Sequence, residues 1–379
     1  MTQNKIKTVV LTGGPCSGKS TAISQIVEFV NSLGIRAVSV PEAATELKLN
    51  GVTFDNFENP VLFQRFIIEK ILSNESFFMK TLRCSKDVAE KGGLLICDRG
   101  LHDCLAYSDI ELVKRVLAMD HGLDFKAEIT SRYTMAVYMN VAPKEYYTTV
   151  NNNAREETYL EARALGIKIA AAWVGHPNLI LVGNDYSSFE GKVNAVIQNI
   201  AQLMGVPQPL AIERKYLVPN SVALDRFLED NNAVRVNIVQ HYLKGDGQER
   251  VRAWTRDGAT TYFYAKKSNE PSIERVKIEE IISHKKYQQF LQRVDLECAP
   301  IEKVRYCFIE NNQYFRLDTF CEDACSHILE VQPSTIQTEI ELPTSLSVIR
   351  EVTDDPKYYN YNIAKQLAQQ RKQQKRYEK

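Results

Sequence analysis

The stretch Ile6-Lys-Thr-Val-Val-Leu-Thr-Gly13-Gly-Pro-Cys-Ser-Gly18-Lys19-Ser20-Thr21 decides the fold. A short β-branched apolar run ends in glycines, and from residue 19 apolar side chains return at helical spacing, at Ile23, Ile26, Val27 and Val30. Strand, glycine-rich turn and helix form the context in which G-x-x-x-x-G-K-[ST] works as a phosphate-binding loop, or P-loop. The glycines let backbone N–H groups turn inward, the helix start adds its partial positive charge, and the lysine reaches the terminal phosphates. Gly13, Gly14, Pro15, Cys16, Ser17, Gly18, Lys19, Ser20 and Thr21 are therefore candidate contacts to a nucleoside triphosphate, with Ser20 a ligand of Mg²⁺.

Outward from this loop, apolar runs at 35–40, 94–97, 135–141 and 179–182 alternate with longer helix-like stretches. That is the pattern of an α/β domain, a parallel sheet wrapped by helices. Asp98 stands where the third run stops, in Leu94-Leu-Ile-Cys-Asp98-Arg99, and a metal-side carboxylate belongs there. Arg99 beside it either neutralises phosphate charge or forms half of a surface ion pair. Glu42, after the second run in Ser39-Val-Pro-Glu42, sits at the carboxyl edge of the sheet as a base for a substrate hydroxyl or as a helix N-terminal acid. Arg155, in Asn151-Asn-Asn-Ala-Arg155, reads as a lid arginine or as part of a solvated loop. Asn184 and Asp185 follow the last run as candidate purine contacts, and nothing in their chemistry separates ATP from GTP.

The bulk numbers narrow the setting. With 379 residues the chain calls for two domains. Lys plus Arg and Asp plus Glu both total 47, so no global field draws the chain toward nucleic acid or an acidic membrane. No apolar run approaches 18 residues, which predicts a cytoplasmic protein with at most peripheral membrane contact. Eight cysteines without a C-x-x-C pair read as buried thiols, and Cys321, Cys325 and His327 lack a fourth zinc ligand.

A helix over roughly 188–204 ends at Gly205, and Val206-Pro-Gln-Pro-Leu210 reads as a linker. Domains are expected at 1–205 and 210–379 with 206–209 between. Beyond Pro209 the texture changes to short period-two segments, among them RKYLV, ERVRAW, TYFYAKK, ERVKIEEI, EKVRYCFIE, QYFRLDTF and HILEVQ. These predict an antiparallel barrel or sandwich, closed by a Lys-, Arg- and Gln-rich solvated helix over 363–379.

The stretches TGGPCSGKST, VPEAATEL, CDRGLHDCLAY and the Arg155 loop resemble the AAA-type, kinase-like P-loop domain of nicotinamide-riboside kinase relatives and TRPL-translocation-defect proteins, from Lys5 to Gly205. The resemblance implies phosphate roles for Lys19, Ser20, Asp98, Arg99 and Arg155. From Ile212 the chain resembles a CYTH domain, the triphosphate-tunnel fold of adenylate cyclases, thiamine triphosphatases and inorganic triphosphatases. Glu213-Arg-Lys215 matches half of E-x-E-x-K, Arg250-Val-Arg252 matches R-x-R, and Arg275-Val-Lys277-Ile-Glu279 and Lys303-Val-Arg305 continue the pattern. Phe315-Arg316-Leu-Asp318 and Leu329-Glu330-Val complete it, and the pairing of the two domains resembles the TRPL-translocation-defect family in particular. Glu213, Lys215, Arg250, Arg252, Lys267, Arg275, Lys277, Glu279, Lys303, Arg305, Arg316, Asp318 and Glu330 are thereby implied tunnel residues.

Three departures stand out: Ala211 in place of the first glutamate, Lys277 in place of a strand acid, and Gln332 in place of the last E-x-E acid. Alternation puts the basic residues on common strand faces, either lining a cationic tunnel or forming a solvated surface. A cationic tunnel with unpaired basic groups would bind polyphosphate or a phosphoinositide headgroup and, short of metal-holding carboxylates, hydrolyse it poorly. The readings that follow are a nucleotide switch or slow NTPase with a ligand-binding tunnel, a small-molecule, nucleoside-type kinase using Glu42, Arg99 and Arg155, and an active tunnel triphosphatase or cyclase, against which the missing carboxylates count.

Overall fold

Five apolar runs become the parallel sheet of the first unit: β1 (Ile6–Thr12), β2 (Arg36–Val40), β3 (Gly93–Asp98), β4 (Met135–Met139) and β5 (Leu179–Val182), in the order β2-β3-β1-β4-β5. The computed structural model describes residues 6–147, 157–206, 213–230, 233–245, 249–267, 277–321, 327–333 and 339–377. Arg155, Ala211, Arg275, Cys325 and linker residues 207–210 lie outside them, and of Lys267 and Lys277 only the backbone is described. Two compact units, Met1–Met204 and Gly205–Lys379, make up the chain.

Parallel strands need long crossovers, and eight helices of the first unit supply or decorate them: α1 (Lys19–Ser32), α2 (Ala43–Leu49), α3 (Pro60–Arg83), α4 (Val88–Lys91), α5 (Ile110–Arg115), α6 (Phe125–Ser131), α7 (Tyr159–Trp173) and α8 (Phe189–Leu203). Val9 and Leu11 of β1 pack with Ile23, Ile26 and Val30 of α1 and with Val193, Val196 and Ile200 of α8 in one buried cluster. With β1 central, the carboxyl ends of all five strands open onto one edge, where the loop of residues 13–18 begins.

In the second unit the strands are antiparallel. They are β6 (Arg214–Val218), β7 (Val234–Tyr242), β8 (Glu249–Arg256), β9 (Ala259–Lys267), β10 (Lys277–Ile282), β11 (Ile301–Glu310), β12 (Gln313–Phe320), β13 (His327–Val331) and β14 (Arg350–Glu351), ordered β10-β9-β8-β7-β11-β12-β13-β6-β14. A parallel α/β domain followed by an antiparallel α+β domain is the class the sequence pattern indicates. α9 (Val222–Asp230) and α10 (His284–Leu291) pack on this sheet, as does α11 (Asn360–Tyr377). α11 corrects the expectation of a solvated helix, because Ile363, Ala364, Leu367 and Ala368 fall on one stripe and are buried against Ile301 and Ile328.

Behind the open edge of the first unit, one buried carboxylate ties three segments. Asp103 accepts hydrogen bonds from the Thr12 hydroxyl at the end of β1, from Gly100 N at 2.8 Å, and from Trp173 Nε1 of α7 at 3.1 Å. The Trp173 indole in turn stacks on His102 with ring centroids 4.0 Å apart. Asp103→Ala leaves three buried donors without an acceptor, so it should destabilise the first unit by about 3 kcal/mol, read as a lower urea midpoint at unchanged slope. A midpoint equal to that of the unmutated chain would show that the anchor is dispensable.

Candidate functional site

The loop after β1 is built around close backbone approach. Gly13 has φ +144°, and a Cβ there would lie 2.2 Å from the carbonyl oxygen of Met139. Cys16 takes the left-handed conformation at φ 57° and Gly18 does so at φ 87°, winding the loop into the first turn of α1. Lys19, the first residue of α1, is buried, and its Nζ donates to Gly13 O and Gly14 O, both at 3.2 Å, and to Ser17 Oγ at 3.3 Å. Burial, then repulsion from Arg99, lowers its pKa to about 8 against the pull of Asp98, Glu42 and Asp103.

The two acids predicted from strand ends flank this lysine. Ser20 Oγ donates to Asp98 Oδ2 at 3.1 Å, while Asp98 Oδ1 is buried with no hydrogen-bond partner among the described residues. A hydroxyl beside a half-used carboxylate at the mouth of a phosphate loop fits a divalent cation, which Ser20 and Asp98 would hold. Burial raises the Asp98 pKa, with Lys19 opposing, and a bound cation would reverse the rise. Arg99 also sits at positive φ, 68°, and its backbone N–H donates to Leu11 O at 2.9 Å. Its Nε meets Glu42 Oε1 at 2.5 Å, and Thr45 Oγ1 donates to Glu42 Oε2 at 2.7 Å. Burial alone would push Glu42 up, but Arg99, Lys19 and Thr45 hold it at about 2, a fixed carboxylate. Arg99 Nη1 is buried and without a hydrogen-bond partner among the described residues.

A cavity of about 1280 Å³ joins these groups. Its lining includes Tyr186 and Phe189 beside the loop, Glu42 and Arg99, Leu49 from α2, Phe63, Gln64, Ile67 and Ile71 from α3, and Tyr107. Asn184 lines the cavity, but its amide is engaged on both sides. Nδ2 donates to Val141 O at 2.7 Å, and Oδ1 accepts from Lys192 Nζ at 2.8 Å. Asp185 is exposed. Lys192, which sequence reasoning passed over, is buried in the cavity wall and also donates to Asn140 O at 2.6 Å. Burial and then Lys19 lower its pKa to about 8.

In the second unit, pairing register brings Lys215, Arg250, Arg252, Glu279, Lys303, Arg305, Arg316, Asp318 and Glu330 onto one face. Lys215 lies opposite Glu330, Glu330 opposite Arg316, Asp318 opposite Arg305, and Arg252 opposite Gln240. The expectation of unpaired cations is corrected here. Asp318 accepts from Lys303 Nζ at 2.5 Å and from Arg305 Nε at 2.6 Å; Glu330 accepts from Arg305 Nη2 at 2.8 Å and pairs with Lys215 Nζ at 3.2 Å. Arg316 pairs with Glu213 at 2.6 Å and Arg252 with Glu279. Sequence alternation could not show this, because which charge meets which depends on strand register. His327 contacts Thr319 Oγ1 and Asn220.

A family profile described as an AAA domain matches residues 8–187. The first unit is thus a P-loop nucleotide-binding domain of the AAA type. No curated protein sequence matches the chain. Among solved structures, an inorganic triphosphatase is 25% identical, covering 41% of this chain and 97% of that one at a TM-score of 0.29. A protein from Pyrococcus horikoshii OT3 is 21% identical over 32% of this chain and 76% of that one, at 0.25. Thymidylate kinase from Ehrlichia chaffeensis is 17% identical over 51% and 97%, at 0.34.

With Lys19 and Lys192 both depressed to about 8, each binds a proton more tightly once an anion sits beside it. Triphosphate binding near pH 8.5 should therefore take up protons, and affinity should fall as pH rises through about 8 to 10. Calorimetry in buffers of different ionisation enthalpy measures the uptake; Lys19→Ala should abolish binding without unfolding the chain. Proton release on binding, or near-normal affinity in a folded Lys19→Ala protein, contradicts the site.

Proposed function

We propose that the first unit binds a magnesium nucleoside triphosphate, ATP or GTP, and transfers its terminal phosphoryl group to a hydroxylated small molecule. The observation that carries this reading is the extent of the cavity's lining, which reaches from the phosphate loop past Glu42 and Arg99 to Leu49, Phe63 and Ile67. At about 1280 Å³ the space exceeds the roughly 300–1000 Å³ of a single small-molecule site, and it continues beyond the phosphate loop to the α2–α3 wall.

In this reading the acceptor oxygen attacks the terminal phosphorus, the diphosphate leaves, and the acceptor proton passes to a carboxylate or to the transferred group. Glu42, held near 2, is a weak base, but the transition state of phosphoryl transfer is loose and asks for orientation more than for early deprotonation. Its role is to orient the acceptor hydroxyl and to hold Arg99, whose spare N–H faces developing phosphate charge. Ser20 and Asp98 would hold a divalent cation that offsets phosphate charge, and Arg155 would serve as the lid arginine. For the second unit we propose a phosphorylated ligand, polyphosphate or a phosphoinositide headgroup. Buried donors at Gln240, Arg250, Arg252, Trp254 and Arg316 that lack acceptors among the described residues support it. The pairing of the two domains suits the TRPL-translocation-defect family. Among the described residues no helix is long and apolar enough to cross a membrane, so a lipid ligand would be met at the headgroup.

The test follows the label from γ-³²P-ATP and γ-³²P-GTP in the presence of pooled ribo- and deoxyribonucleosides. Label should appear on an organic acceptor, and Ile67→Trp, which narrows the cavity at its α3 wall, should cut that transfer at least tenfold while sparing nucleotide affinity. Release of labelled phosphate alone, unchanged by Ile67→Trp, would establish the switch or slow NTPase reading instead. Asp98→Asn should weaken nucleotide binding far more in Mg²⁺ than in EDTA; equal loss in both buffers would make Asp98 structural.

A further inference from the structure

The tunnel fold that the second unit resembles implies a divalent metal held by carboxylates, and the residues present do not fit one. Each acid on the charged face is engaged by a cation: Asp318 by Lys303 and Arg305, Glu330 by Arg305 and Lys215, Glu213 by Arg316, and Glu279 by Arg252. Among the described residues no three acid, histidine or cysteine side chains come together. Nor does the remaining side of the face ask for a cation, since what it leaves unsatisfied are donors. Arg250 Nε, Arg252 Nε, Arg316 Nε, Gln240 Nε2 and Trp254 Nε1 are all buried N–H groups with no acceptor among the described residues. Gln240 and Trp254 are each 2% exposed.

Three of these donors stand at alternate positions of one strand, Arg250, Arg252 and Trp254 of β8, a row about 14 Å long at strand spacing. Gln240 lies opposite Arg252 on β7. Burial, and then Arg250, Arg305 and Arg316 against the pull of Glu279, make Arg252 easier to deprotonate than a free guanidinium, so these groups feel one another's charge. Among the described side chains, Lys215, Arg250, Arg252, Lys303, Arg305 and Arg316 meet the carboxylates of Glu213, Glu279, Asp318 and Glu330 on this face, six cations to four acids.

Resting on the reading of this unit as a receptor for phosphorylated ligands, we propose that it binds an extended polyanion without any divalent metal, the β8 row of N–H donors doing what metal ions do in a hydrolase. Asp318, Glu330, Glu213 and Glu279 are positioning residues that aim the guanidinium groups. Without a metal to activate water, the bound ligand is kept intact.

Inorganic triphosphate and inositol hexakisphosphate are titrated calorimetrically into the full chain carrying Lys19→Ala, which silences the loop of the first unit; circular dichroism checks that it is folded. At least one should bind with Kd equal within about threefold in EDTA and in Mg²⁺, weaken about tenfold between 50 and 300 mM salt, and release no phosphate with Mg²⁺ or Mn²⁺. Arg252→Gln should weaken binding at least tenfold, and Gln240→Leu takes its place if Arg252→Gln does not fold. Binding that appears only with Mg²⁺ or Mn²⁺ overturns the metal-free site while the receptor reading survives. Full affinity in both variants also overturns it, because the ligand then sits elsewhere. Failure of both anions to bind in either buffer sinks the inference and the receptor reading together.

Discussion

An ammonium group kept from water by neutral oxygens alone is the constraint on which the first unit turns. Lys19 is held by two carbonyls of its own loop and a serine hydroxyl, and Lys192 by a carbonyl and an amide oxygen. No carboxylate shares either hydrogen-bond shell among the described residues. Desolvation is left partly uncompensated in the free protein, and a phosphate chain is the natural compensation. The rest of the unit serves that arrangement: a glycine that lets the loop touch Met139, an α1 that starts at the lysine, and Asp103 holding the turn after Arg99 to the end of β1.

The second unit answers the same physics differently. There the buried cations do have carboxylates, shared so that Arg305 bridges Asp318 and Glu330 and Glu330 bridges Arg305 and Lys215. Such a network costs desolvation on every member, and removing one partner leaves another charge bare. Its structural return is rigidity: guanidinium planes fixed by one edge keep the other edge aimed. In one unit the anion completes the hydrogen bonding of a lysine, and in the other it meets donors that the network has already oriented.

What the sequence made legible followed from locality. The phosphate loop could be read because its spacing is its geometry, and Asp98 and Glu42 because the end of a parallel strand is where an α/β site lies. Asp103 has no such signal, since a carboxylate five residues beyond a recognised acid has no motif of its own and shows its role only through Thr12 and Trp173, brought in from 91 and 70 residues away. Lys192 belongs to no motif, and a lysine within a helix gives no local sign that it is buried. β7 was passed over although Val234, Val236 and Ile238 alternate, and with it went Gln240. α11 was misjudged because lysine and glutamine outnumber the four small or aliphatic residues that bury its stripe. The ion pairs of the second sheet needed the register, which no single segment carries.

The chain has two tryptophans, and each unit owns one. Trp173 is wholly buried with its indole N–H spent on Asp103, whereas Trp254 is buried with that N–H free and the Arg305 guanidinium 5.9 Å from its ring. Indole emission shifts with the local electric field and is altered when the N–H gains an acceptor, so the two fluorophores stand in unlike surroundings by construction. The protein thus carries a separate built-in optical reporter for each half, one tied to the integrity of the nucleotide fold and one set beside the charged row of the other sheet.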